Sequence, residues 1–119
     1  MTLSKQTFNR GDVVLVLFPD SNLQSAKSRP GLVVQANRLN TGLAQIIIAM
    51  ISTNMARANH PSRVSVLVNS AAGSQSGLLK DSIVMTDNLA TIAYSEISRT
   101  IGSLPMIEID VALRHTLGL

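Results

Sequence analysis

The sequence contains no cysteine and no tryptophan, and its only aromatic residues are Phe8, Phe18 and Tyr94. Without cysteine there is no disulfide scaffold, no thiolate nucleophile and no Cys-rich zinc site, which fits a reducing compartment. So few aromatics leave no broad stacking platform for nucleobases. The core must instead be built from Val, Ile, Leu, Met and Ala. The longest apolar run, IIIAMI at 46–51, is far short of the roughly 20 residues that cross a bilayer. The opening residues, MTLSKQTFNRGD, show no apolar signal segment. A soluble, cytoplasmic protein without membrane association is the expectation.

Two histidines, His60 and His115, stand in no metal-ligand spacing, so no metal and no cofactor is expected. There is no G-x-S-x-G elbow. AAGSQSG (71–77) lacks the Lys-Ser/Thr ending of a phosphate-binding loop. Asp81 and Asp87 read as turn and strand-edge residues rather than as a catalytic carboxylate pair.

The remaining composition is that of one globular unit. The chain has 119 residues, of which 45% are hydrophobic and 14% charged, and its mean hydropathy is +0.27. That suits a single domain over 1–119, with 1–9 as a flexible N-terminus. Net charge is +3 with a pI near 10.0, and it is unevenly spread. Residues 1–63 carry seven basic side chains against two acids; residues 64–119 carry three against five. A basic first half gathered on one face would favour an anionic partner, nucleic acid or an acidic peptide.

Short β-branched runs dominate the chain. Strands are predicted over 12–18, 31–35, 44–52, 63–68, 82–86, 89–92 and 98–104, the segments at 82–92 being paired or bent. Polar or small-residue loops are predicted at 19–30, 36–42, 53–61 and 69–77. The first of these is long for a small domain, and such loops often carry function. Near the end, Met106, Ile109, Leu113 and Leu117 recur at steps of three and four, predicting one terminal helix with Pro105 in its first turn. Many short strands and one late helix imply a mainly β fold, a small curved antiparallel sheet or barrel closed by that helix.

The polar groups with chemical promise stand where strands meet loops. Arg29 ends the first long loop, directly before Pro30. Ser52 and Thr53 end the third strand. If the second and third strands are neighbours, Arg29 and Ser52 face one cleft. A guanidinium grips non-bridging phosphate oxygens bidentately and stabilises developing charge, while a hydroxyl orients the phosphate.

Six blocks in order, RGDVVLVLFP (10–19), AKSRPGLVVQ (26–35), IIIAMISTNMARANHPSRV (46–64), GLLKDSIVMTDNLATI (77–92), RTIGSLP (99–105) and ALRHTLGL (112–119), resemble the MazF/PemK toxins of bacterial toxin–antitoxin systems. The resemblance implies an SH3-like barrel of the CcdB/MazF type with a C-terminal helix. It implies a homodimer that cuts single-stranded RNA at short sequence motifs without a metal, leaving 2′,3′-cyclic phosphate and 5′-hydroxyl ends. A cognate antitoxin protein is implied as partner, an acidic segment of it lying over the basic cleft. Arg29 is implied as the charge-stabilising and proton-transfer group and Ser52 as the phosphate-orienting hydroxyl, with Gln24, Lys27, Ser28, Thr53 and Asn54 as substrate contacts. An Arg is an unusual acid or base because its pKa is so high, so its electrostatic role is the better expectation.

Three departures from the family pattern stand out. One branch uses a basic residue two positions before an acid, and here those positions are Met85 and Asp87. A frequent Gln-x-Arg-Thr stretch appears as Asn88-Leu89-Ala90-Thr91. The loop before Arg29 reads SNLQSAK. Two alternatives remain open: a CcdB-like gyrase poison on the same barrel, although such toxins often act through a C-terminal tryptophan that this chain lacks, and an SH3-like interaction module without activity.

Overall fold

Alternating burial along short β-branched runs accounts for most of the architecture. The structure, a computed structural model, describes residues 7–19 and 26–119. Six strands form one antiparallel sheet: β1 (Asp12–Pro19), β2 (Ala26–Val33), β3 (Gln45–Ser52), β4 (Arg63–Val66), β5 (Ser82–Ala93) and β6 (Ile97–Ser103). Their order across the sheet is β4-β5-β3-β2-β1-β6. Two helices accompany them, α1 (Ala71–Ser76) and α2 (Ile107–Leu117).

The period-2 alternation of each strand sends side chains to two faces, and both faces are buried. One face packs Val13, Leu32, Ala49, Ile51, Val66 and Val84 against Ile109 of α2. The other packs Val14, Val16, Val33, Ile46, Ile48, Ile92 and Ile97, with Phe8 and Tyr94 at its margin. Phe8 lies in the segment expected to be flexible, yet its ring meets Tyr94 edge-on with centroids 5.3 Å apart. Helix α2 is oriented in keeping with its dipole, with Glu108 and Asp110 in its first turn and Arg114 and His115 in its last.

Several expectations need correction. The stretch 69–77 is not wholly a loop: Ser70 caps α1 by accepting from the Gly73 N–H, and Gly77 ends it in the left-handed region with φ 75°. This helix shows no apolar periodicity because it packs by backbone contact. A methyl on Gly73 would overlap the Leu67 carbonyl beyond β4, and one on Gly102 of β6 would overlap the Ser76 backbone. The helix thus fills the gap between the two edges of the sheet. The segments at 82–86 and 89–92 are one strand, bent where the β3 register jumps from Ala49↔Leu89 to Met50↔Met85. Helix α2 begins at Ile107 with Met106 as its N-cap, so Pro105 precedes it rather than occupying its first turn. Strand β2 begins at Ala26, so the described end of the predicted 19–30 loop is strand, and Arg29 lies within β2 rather than at the close of a loop.

Candidate active site

The positions of Arg29 and Ser52 follow from how β2 and β3 part. Their ladder runs Val33↔Ile48, Leu32↔Ala49 and Gly31↔Met50, then stops. Continued by two residues, the same register would set Arg29 directly opposite Ser52. Pro30 intervenes, and with no backbone N–H it cannot extend the ladder. From Pro30 back to Ala26, β2 pairs with β1 alone, Arg29 opposite Val16. The two strands therefore diverge at the point where their side chains share one face of the sheet.

The gap is an open cleft of about 430 Å³ lined by Ser28, Arg29, Ser52, Thr53, Asn54 and Arg57, with Met50 and Met85 among its apolar residues. The β5 bulge adds Asn88 to the lining. Arg29, Ser28 and Thr53 are exposed, and Ser52 is half-buried. Ser52 Oγ accepts the Asn54 N–H at 3.1 Å. That occupies a lone pair and leaves the hydroxyl hydrogen free to donate, the disposition required to orient an anion.

Of the expected substrate contacts, Ser28, Thr53 and Asn54 border the cleft with Arg29 and Ser52. Asn54 also has a structural task, since its Oδ1 accepts the Ala56 N–H and caps a 3-10 turn over Met55–Arg57. Lys27 is exposed on β2 but is not among the lining residues. Gln24 lies outside the described residues. Thr53, just beyond β3, also borders a second groove of about 620 Å³ that shares Pro30 with the first. Leu15, Leu78, Leu79, Lys80, Arg99 and Ile101 contribute to its walls.

No carboxylate or imidazole is among the residues lining the cleft. Asp87 lies near it on β5 but is taken up by Arg63, whose Nη2 donates to Asp87 Oδ2 at 2.9 Å. That hydrogen bond holds the Asp87 carboxyl below its ordinary value. Among the described residues, no group of three or more His, Asp or Glu side chains is placed to hold a metal ion.

The chain matches the family described as PemK-like, MazF-like toxin of type II toxin–antitoxin system over residues 9–116. It belongs to that family. Two MazF-family relatives, endoribonuclease MazF2 of Mycobacterium bovis and endoribonuclease MazF6 of Mycobacterium tuberculosis, are each 34% identical over 107 residues, covering 87% of this chain and 90% of the relative. Among solved structures, a mycobacterial endoribonuclease in complex with its cognate antitoxin superimposes with a TM-score of 0.74 at 23% identity, over 95% of this chain and 97% of that one. A MazE–MazF structure from Deinococcus radiodurans gives a TM-score of 0.70 at 15% identity, covering 97% and 99%. The MazF-like barrel that the family resemblance implied is therefore the fold.

Seen as a MazF/PemK member, the chain lacks a cation at Met85, yet the cleft does not lack one there. Arg57 Nη1 lies 3.7 Å from Met85 Sδ. The sequence reading passed over Arg57 because it sits mid-loop without a motif. The available signal was ANHPSR after it, a turn-forming stretch that brings the chain back along the edge of the sheet.

Proposed function

We propose that this toxin is an endoribonuclease that cuts single-stranded RNA at the cleft between β2 and β3. The observation that carries the reading is that Arg29 and Ser52 line one cleft where the β2–β3 ladder parts, with no acidic lining residue. Such a cleft attracts a phosphodiester and repels nothing in it.

In the proposed reaction the ribose 2′-oxygen gives its proton to water and bonds to the adjacent phosphorus, while the bond to the 5′-oxygen breaks and that oxygen takes a proton from water. The products are a 2′,3′-cyclic phosphate and a 5′-hydroxyl, and the need for a 2′-OH selects RNA over DNA. Arg29 grips the non-bridging oxygens and stabilises the charge that grows on them, while Ser52 donates its free hydrogen to the same phosphate. Arg29 contributes charge and orientation. Ser28 and Thr53 border the path of the strand on either side.

The partner would be an antitoxin protein, as in the structural relatives solved with theirs, with an acidic segment over the cleft. We infer a homodimer as well. Leu79 is 93% exposed in the groove beside the cleft, an apolar surface that suits a second copy of the chain. No helix among the described residues is long and apolar enough to cross a membrane, and we place the toxin in the cytoplasm with its RNA. The endoribonuclease relatives favour RNA cleavage over the gyrase-poison alternative.

The test is incubation of the purified toxin with a long RNA in EDTA, with the fragment ends mapped. Fragments bearing 5′-hydroxyl ends, absent for Arg29→Ala and strongly reduced for Ser52→Ala, are expected. Intact RNA together with trapped gyrase–DNA breaks would overturn the reading. Sedimentation at micromolar concentration that finds only a 12.7 kDa species would overturn the dimer.

A further inference from the structure

The cleft contains a second guanidinium besides Arg29. Arg57 is exposed on the 3-10 turn after β3 and lines the same cavity. Among the described residues the ion pairs are Arg10–Asp110 and Arg63–Asp87, so neither Arg29 nor Arg57 is paired to a carboxylate. Among the described residues, the one hydrogen-bond partner of the Arg57 guanidinium is a weak acceptor, the thioether of Met85 at 3.7 Å. A cation resting on sulfur has kept most of its hydrogen-bonding capacity for something else.

The turn that presents it is held at several points. Asn54 caps the turn through its Oδ1, and its carbonyl accepts the Arg57 N–H at 3.2 Å. Arg63 Nη1 donates to the Arg57 carbonyl at 2.9 Å while its Nη2 holds Asp87. The Asp87–Arg63 pair thus clamps the backbone of residue 57 from β4 and β5, the two strands beneath the turn. That is considerable structure to place one exposed arginine against a methionine, and it faces the cleft wall opposite the β2 ribbon.

We propose that Arg57 is a phosphate-binding residue of the cleft, gripping the RNA backbone from the β5 side while Arg29 holds it from β2. This deepens the endoribonuclease reading and rests on it. Arg57 anchors the strand in ground and transition state alike, so its loss is felt in KM rather than in kcat. Met85 serves as its rest, the guanidinium Nη1 lying 3.7 Å from the thioether sulfur. Asp87 and Arg63 act through the turn as positioning residues and do not touch RNA.

The experiment uses an oligonucleotide spanning a site that the wild-type toxin cuts, with a 2′-O-methyl group replacing the attacking hydroxyl so that binding is read without cleavage. Affinity is measured by fluorescence anisotropy across a salt series for wild type, Arg57→Met, Arg57→Lys and Arg114→Ala. Arg57→Met keeps an apolar stem against Met85 and removes the charge. It is expected to bind roughly tenfold more weakly, the scale of one charge-assisted contact, and to show a salt slope shallower by about 0.7. Arg57→Lys is expected to restore the slope, because a point charge suffices for a backbone phosphate. Arg114→Ala, on the far helix, is expected to leave the slope unchanged. Equal affinity and slope for Arg57→Met and wild type would overturn the proposal, as would a loss confined to kcat on cleavable RNA. If the wild type leaves RNA intact, the endoribonuclease reading itself fails, an outcome separate from these.

Discussion

Thr86 offers the sharpest test of how the site loop is tied to the body of the toxin. It is 0% exposed, and its Oγ1 donates to the Ser62 carbonyl at 2.6 Å. The same oxygen lies 2.8 Å from Thr116 Oγ1, which is 2.7 Å from Ser62 Oγ. Three hydroxyls therefore join β5, the last turn of α2 and the end of the loop that carries Asn54 and Arg57. Thr86→Val keeps the side-chain volume and removes the hydroxyl. The Ser62 carbonyl keeps its bond from the Thr86 N–H at 2.9 Å, so it is not orphaned. The Thr116 and Ser62 hydroxyls keep one another, and Thr116 Oγ1 loses its contact with Thr86. An intramolecular hydrogen bond contributes about 1 kcal/mol net, and a buried group left short of a partner costs about 1–3 kcal/mol. With one bond and one contact removed, the expected loss is about 1–2 kcal/mol. For a domain of this size that lowers Tm by roughly 4–8 °C.

Thr86→Ser is the matched comparison. It keeps the hydroxyl and loses one methyl, worth about 0.8 kcal/mol, so Thr86→Val is expected to be the less stable of the two. Urea denaturation followed by circular dichroism, at one fixed protein concentration so that dimerisation does not confound it, reads the difference as a shift in midpoint. The double variant Thr86→Val/Thr116→Val is expected to lose less than the sum of the singles, because both act on one network. A Thr86→Val protein as stable as wild type, or an additive double variant, would refute the reasoning.

Other expectations are quickly checked. Arg29→Lys keeps the charge but not the fork, and is expected to lower kcat/KM on RNA about 10–100-fold, measured under single-turnover conditions; wild-type rates would contradict bidentate grip. Gly31→Ala would bring a Cβ to 2.6 Å from Ile48 Cδ1, at a buried side chain, and a destabilisation of about 1–3 kcal/mol by overpacking is expected in urea melts. The folded-state pKa of Asp87 is depressed, so its contribution to stability is present above its ordinary value of 3.8 and is lost as pH falls through the lower, folded value. The stability difference between wild type and Asp87→Asn is therefore expected to stay constant from pH 5 upward and to shrink only in acid. Any change in that difference between pH 6 and 8 would assign the effect to another group.

How much of this was legible in the sequence varied with the kind of packing involved. DVVLVLF and QIIIAMIS carry runs of β-branched residues that bury on two faces, so β1 and β3 were visible from composition and length alone. The terminal helix was equally visible, because a one-sided apolar stripe leaves a period in the sequence. Helix α1 left none, since its contacts are backbone against backbone and need small residues rather than apolar ones. The start of β2 was hidden for a related reason. AKSRP has the polarity of a loop, and only its pairing with the end of β1 makes it strand.

The candidate site divides along the same line. Arg29 and Ser52 were identified by local chemistry and family likeness, each standing beside a recognisable punctuation, Pro30 for one and the end of an apolar run for the other. Arg57 was not, because nothing adjacent in sequence marks it. Its place depends on Asn54 capping the turn and on Arg63 donating to its carbonyl while Arg63 itself is held by Asp87 from β5. Sequence alone determined which residues can be strand, which can be helix, and which side chains have the chemistry to engage a phosphate, because those are properties of side chains and of short spacings. Only the tertiary structure decided that the β2–β3 ladder opens at Pro30, and that Arg29 and Arg57, neither paired to a carboxylate among the described residues, line one cleft. Register, splay and distance arise from pairing between segments remote in the chain, and no local pattern encodes them.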